Sequence, residues 1–254
     1  MSTSDLRDLE LLIRSRIPVI VVETHEERRT RQLFTELGLK VGRSLFEWSI
    51  TDGLKRCEFD APPMRTVSSP EEILKHIRAN SFPGIYLLLD FHPYLEDPTH
   101  IRLIKEIALN YENTPNTLVM ISHSLETPPE IRMHTARFEL SLPDDMTLEE
   151  IIRDEAQKWS QSNHGRQVRT DRTTLDKMIR NLTGLTAIDA RRLARGAIAD
   201  DGAITDDDFP KVMETKYKLL DRDGALAFEY DTARFGDVGG LGNLKRWLKM
   251  RADT

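Results

Sequence analysis

The chain has 254 residues, with 42 acidic against 36 basic side chains, a net charge of −6 and a single cysteine, Cys57. That length holds one α/β domain and a smaller second one with enough burial to fold unaided, and a lone thiol excludes an internal disulfide or a cysteine-rich zinc site. The acidic balance argues against nucleic acid as an obligatory partner, and without a signal-peptide pattern or a membrane-length apolar run, no membrane association and a cytoplasmic setting are expected.

Leu6, Leu9, Leu12 and Ile13 fall on one face of a helix that begins near Ser4, carries Asp5 and Asp8 in its dipole-favoured first turn, and stops at Pro18. Val19 to Val22 has no polar alternation, the mark of a strand covered on both faces. Thr24 and Glu27 have capping-box spacing and predict a helix start, with Leu33, Phe34 and Leu37 facing the core and Gly38 closing the helix. Leu45 to Ile50 reads as the next strand, and Thr51-Asp52-Gly53 as a turn into a short partner, Leu54 to Phe59, ahead of a loop with Pro62 and Pro63. Ser69, Pro70 and Glu72 combine a capping box with a first-position proline and predict a helix to about Asn80.

Ile85 to Leu89, punctuated by Pro83 and Gly84, reads as the central strand, expected to neighbour the Val19 strand in one sheet. It delivers Asp90 to the carboxyl edge, where open α/β folds bind ligands. Asp97 and Pro98 start a helix with Ile101, Ile104, Ala108 and Tyr111 turned inward; strands follow at Thr117 to Ser122 and at Ala136 to Leu142, the latter ended by Pro143. Five strands, most separated by helices, predict a three-layer α/β sandwich with a largely parallel five-stranded sheet. From Thr147 strands give way to helices. Thr147 and Glu150 cap one, Asp171 opens a second, Thr186 to Ala199 forms a third, and Thr205 with Asp206 starts a fourth. Gly224 to Arg234 reads as a linker, and Leu244, Trp247 and Leu248 begin a further amphipathic helix.

This order of elements resembles the AAA+ ATPase module, a P-loop NTPase fold, and specific residues carry the resemblance. Leu87, Leu88, Leu89 and Asp90 resemble a Walker B strand with its first acid, and Leu118 to Ser124 sits where the sensor-one strand lies. Arg137-Phe138 with Leu142-Pro143-Asp144 resembles the arginine-finger segment and its following turn. Gly184-Leu185 through Ala190 and Leu193 resembles the lid helix, and Ile204 to Phe209 the start of the last lid helix. Phe235-Gly236-Asp237-Val238-Gly239-Gly240-Leu241 is similar to the opening of many AAA modules ahead of their P-loop, so Asp237, Val238 and Gly239 would be the adenine-side strand of a second module. The whole is similar to a family of two-module AAA+ proteins of cyanobacteria and algal plastids, in which a degenerate first module precedes a complete one. The resemblance implies a degenerate AAA-like α/β domain at 1–145, a helical lid at 146–222, and a linker with the start of the second module at 223–254. It also implies a ring-forming homo-oligomer, ATP and magnesium for the longer protein, and the plastid stroma as a setting if the protein is plastid-encoded.

A working P-loop needs glycines, a lysine and a hydroxyl around phosphate and magnesium. After the Val19 strand this chain instead has Glu23-Thr24-His25-Glu26-Glu27-Arg28-Arg29. A carboxylate about 4 Å from a phosphate charge opposes it by roughly 1–4 kcal/mol. Thr24, Glu26 and Asp90 are therefore vestigial positions with no cofactor expected in this module. Phe91 follows Asp90 where the family pattern has a water-polarising glutamate, and Ser122, His123 or Ser124 stands at the sensor-one position. Arg28, Arg29 and Arg31 read as a solvated helix face, with anion binding as the alternative. Arg137 is the candidate interface residue, an ordinary strand-edge arginine being the alternative. Asp90, His92, Asp97, His100 and His123 resemble part of a metallophosphoesterase site, but its other signatures are missing, so no metal site is expected. The carboxylates from Asp200 to Asp208 read as helix caps, Trp48, Trp159 and Trp247 as packing residues, and His164 and Ser124 as unconnected. The segment is expected to be a catalytically silent module that scaffolds or regulates a downstream ATPase module; an adaptor that holds protein or nucleic acid is the competing class.

Overall fold

The computed structural model describes residues 3–57, 64, 67–220 and 240–252. In chain order it has α1 (Thr3–Arg14), β1 (Val19–Glu23), α2 (Glu27–Val41), β2 (Ser44–Ser49), β3 (Gly53–Arg56), α3 (Pro70–Ala79), β4 (Gly84–Leu89), α4 (Pro98–Leu109), β5 (Thr117–Ser122) and β6 (Thr135–Phe138). The helical part follows as α5 (Asp145–Ser162), α6 (Arg172–Leu182), α7 (Ala187–Ala199) and α8 (Phe209–Leu220), with α9 at Gly242–Ala252. The strands form one sheet of six in the order β3-β2-β4-β5-β1-β6, parallel throughout except for the β2–β3 pair.

Two expectations about the sheet need correcting. It has six strands rather than five, because the short partner after the Gly53 turn makes a full antiparallel ladder on β2, from Ser49 opposite Gly53 to Phe46 opposite Arg56. The strands at Val19 and Leu87 share the sheet but are not neighbours: β5 lies between them, setting Leu118 beside Val19 and Val119 beside Leu87. Parallel pairing requires a crossover, and the chain leaves β1 for β2 with two positions open between them, which β4 and β5 later fill.

The apolar runs are explained by burial on both faces. Val19, Val21, Tyr86, Leu88, Leu118 and Met120 pack on the side of α3 and α4, while Ile20, Val22, Ile85, Leu87, Val119 and Ile121 pack against α1 and α2. A separate helical core joins Ile151 of α5, Met178 of α6, Leu193 of α7 and Val212 of α8. Among the described residues no helix is long and apolar enough to cross a membrane. The linker Gly224 to Arg234 and the segment Asp237, Val238, Gly239 lie outside the described residues. Leu244, Trp247 and Leu248 do fall on a helix, α9, and are partly exposed there.

The helix ends follow from local chemistry. Ser69 and Glu72 form the expected capping box, and Asp97, Asp171 and Thr186 each accept a backbone N–H in the first turn of α4, α6 and α7. Three ends differ from expectation. The helix after β1 is capped by Glu26, since Thr24 Oγ1 accepts the Glu26 N–H at 2.9 Å in a turn of its own instead of pairing with Glu27. It ends at Gly42 rather than Gly38, because Gly42 takes the left-handed conformation (φ 66°) that closes the helix. The lid opens at Asp144, whose Oδ1 accepts the Thr147 N–H at 2.9 Å, so Thr147 lies inside α5. Strand β6 stops at Phe138, short of Leu142, and the Ser141 N–H turns to Asp5 Oδ1 at 3.3 Å.

Inside the lid, the Glu155 carboxylate is almost fully buried yet takes Lys158 at 2.7 Å, Arg195 at 2.8 Å and Arg191 at 3.0 Å. Burial raises its pKa, but hydrogen bonds from these three cations outweigh burial and hold it at about 2, against the usual 4.5. On the opposite side Lys216 Nζ donates to the carbonyls of Asn181 and Thr183 at 2.7 and 2.8 Å, closing the C-terminal end of α6, and burial lowers its pKa. Gly202, at φ 71°, lies flat against the Trp159 ring, and a Cβ there would come within 2.1 Å of Trp159 Cη2.

Because the folded pKa of Glu155 is depressed, its contribution to lid stability is complete above about pH 5 and is lost as pH falls from 4.5 towards 2; the loss is on the order of 1–3 kcal/mol. Urea unfolding across that range should show a slope that Glu155→Gln removes. Gly202→Ala, which adds both left-handed strain and overlap with Trp159, is expected to cost about 2–4 kcal/mol in the same measurement.

Candidate functional site

The parallel register brings the residues just after several strands together at the carboxyl edge. Glu23 pairs with Ser122 and Leu89 with Ile121, so Thr24, His25 and Glu26 after β1, His123 after β5 and Asp90 after β4 share one rim. Glu26 is 7% exposed. Its Oε1 accepts the Ile188 N–H of α7 at 3.1 Å and its Oε2 accepts Arg29 Nη1 at 3.0 Å. Arg29 continues to Asp5 Oδ2 at 3.4 Å, and Asp5, 4% exposed, also holds the Ser141 amide. One carboxylate thus stands at the N-termini of two helices, α2 and α7, where both macrodipoles favour negative charge. Clefts of about 710 and 700 Å³ open on either side of Glu26, between the sheet edge and the lid.

A second clamp lies beside the first. Glu23 Oε2 meets Arg137 Nη1 at 2.8 Å, Glu23 Oε1 accepts the Leu125 N–H at 2.8 Å, and Arg137 Nη2 donates to the Leu125 carbonyl at 2.9 Å. Arg137 sits on β6 opposite Val21, its side chain 53% exposed. Of the three arginines after β1, Arg29 is held by Glu26 and Asp5 and Arg31 by the buried Glu47, which also takes Lys55 at 2.7 Å; Arg28 is exposed. Phe91 is fully buried, edge-on to Trp48 and Tyr94, so the position after Asp90 points into the core rather than to the rim.

Asp90 is an exposed residue in the left-handed region, at φ 50°. It lies close to His92 and His123, whose ring centroids are 4.9 Å apart. The other members of the metallophosphoesterase-like set are elsewhere: Asp97 caps α4 through the Thr99 N–H, and His100 Nδ1 meets the Tyr94 carbonyl at 2.9 Å.

The links across this rim span long stretches of sequence. Asp5 was readable as a first-turn acid, but its bond to Ser141, like those from Glu26 to Ile188 and from Glu23 to Leu125, joins segments that no local pattern connects. The one local hint was an acid placed at the end of β1 and again at the start of α2.

Residues 5–140 match the model described as the SpoVK-like AAA ATPase N-terminal domain, and residues 147–223 match the second domain of the same description. The chain belongs to the SpoVK-like AAA ATPase family. Two relatives of this SpoVK-like chain bear the name uncharacterized AAA domain-containing protein ycf46. That of Guillardia theta is 26% identical over 254 residues, covering 98% of this chain and 48% of the relative; that of Trieres chinensis is 23% identical over 248 residues, covering 96% and 48%. The chain therefore spans about half the length of the curated relatives it matches. Among solved structures it is similar to a Thermotoga maritima RuvB variant (TM-score 0.52, 15% identity, 84% of this chain and 69% of that one). It is also similar to the FIGL-1 AAA domain in complex with ADP (TM-score 0.52, 13% identity, 83% and 76%). At these identities the likeness is one of fold.

The family implies ATP and magnesium, but the residues at this rim do not fit a magnesium triphosphate. The N-terminus of α2 carries Glu26 in place of phosphate-approaching glycines, and that carboxylate already occupies the N–H of Ile188 and the guanidinium of Arg29. Removing it leaves the Ile188 amide without its acceptor and Arg29 with Asp5 alone. Glu26→Ala is expected to destabilise the chain by about 2–4 kcal/mol and to speed hydrogen exchange at the Ile188 amide by about tenfold or more. Unchanged exchange at Ile188 would show that Glu26 does not tether the lid.

Proposed function

We propose that this chain is a AAA module that does not hydrolyse nucleotide and that scaffolds or regulates an active ATPase module lying C-terminal to it in the same polypeptide. The reading rests on Glu26: it stands as the N-cap of the helix that would receive phosphate, and its carboxylate is committed to the Ile188 amide of the lid helix α7 and to Arg29. The buried Phe91 agrees with it, since a water-polarising side chain cannot be presented from a position facing Trp48. The relatives' double length and the Phe235 to Leu241 segment agree with a further module, which would supply ATP and magnesium chemistry. In a ring of such proteins this module would stay in one lid-to-sheet geometry and constrain its active neighbour. Arg137 is then the interface residue, presented to the next subunit as an ion pair with Glu23 rather than as a bare charge.

Isothermal titration of magnesium ATP into the chain tests the reading. The expected result is no saturable heat, corresponding to an affinity weaker than about 1 mM. Micromolar binding would overturn it.

A further inference from the structure

Outside the Glu26 tether, the rim holds a group of side chains that the module's structural role does not use. Asp90 at the end of β4, His92 just beyond it and His123 at the end of β5 each offer a ligand atom, and all three atoms lie within 4.8 Å of one another. His92 Nδ1 is shielded from solvent and has no hydrogen-bond partner among the described residues; Asp90 Oδ1 is 4.0 Å away. An imidazole nitrogen turned inward beside a carboxylate and a second imidazole is costly unless something binds it. Protein ligands around a tetrahedral zinc stand roughly 3.4 Å apart at metal distances of about 2.0–2.1 Å, so a small rotation of either imidazole would bring the set together.

We propose that Asp90, His92 and His123 form a binding site for a divalent d-block cation such as zinc, with the fourth position open to water. The chemistry of the donors separates this from the magnesium of an active module. Magnesium takes six oxygen ligands in near-ideal octahedral geometry, whereas two imidazoles and one carboxylate suit zinc, cobalt or nickel. Asp90 supplies the one oxygen donor of this set and the two histidines supply nitrogen. Binding would tie the loop after β4 to the end of β5, beside the Leu125 segment that Glu23 and Arg137 clamp.

The test uses the full 254-residue chain, stripped with chelator and titrated with zinc chloride against a chromophoric competitor. One equivalent should bind with micromolar or tighter affinity, and cobalt should give the visible absorption of a four-coordinate site. His92→Ala, His123→Ala and Asp90→Asn should each weaken binding by about tenfold or more, while the exposed His164→Ala on the lid should not. Circular dichroism checks that each variant is folded, and Asp90→Asn, nearly isosteric and exposed, serves if a histidine variant is not. Absence of saturable zinc uptake would overturn the site. So would uptake that persists in the folded variants, or displacement of zinc by millimolar magnesium.

Discussion

A single carboxylate sets the relation between the two parts of this molecule. Glu26 leaves the last turn after β1 as the N-cap of α2, and reaches across to the first turn of α7. The carboxylate accepts an amide in the first turn of α7, where the positive end of that helix dipole favours its charge. Here the charge belongs to the chain, and Arg29 and Asp5 extend it back to α1 and to the backbone after β6. A side chain of the sheet edge thus ties the first turn of a lid helix to it.

The sheet order explains why the rim is crowded with polar residues of different origin. With β5 between β1 and β4, the loop after β5 lies between the turn after β1 and Asp90. Ser122 turns into that loop and donates through its hydroxyl to the Ser124 carbonyl, Leu125 is gripped by Glu23 and Arg137, and His123 is left between His25 and His92. The contacts of Leu125 with Glu23 and of His123 with both His25 and His92 depend on that order. The adjacency drawn from the sequence was wrong, although both runs were correctly read as strands of one sheet.

The signals legible in the sequence were short-range. The apolar runs at Val19, Ile85 and Thr117 announced doubly covered strands, and Ser69, Asp97, Asp171 and Thr186 announced helix starts, because each signal is complete within a few residues. The reading failed where two short-range signals competed. Thr24 had the spacing of a cap, but its hydroxyl was closer to the Glu26 amide, and Glu26 became the cap. Thr147 was overtaken by Asp144 three residues earlier, and Gly38 by Gly42, whose backbone takes the left-handed form. At the rim the sequence supported only an expectation: acids stand where the family pattern places phosphate ligands. It could not see that Glu26 had found Ile188, 162 residues away, or that His123 approaches His92, since only the folded sheet creates those distances.

The ammonium of Lys216 has a mechanical meaning. Its two acceptors are the terminal carbonyls of α6, and it rides on α8, so neither helix can slide along the other by one turn without leaving those carbonyls bare. With Glu155 locking α5 to α7 on the other flank, the four helices have no easy shear mode. Each pair of helices therefore moves as a unit, and the shared apolar core of all four joins the two pairs.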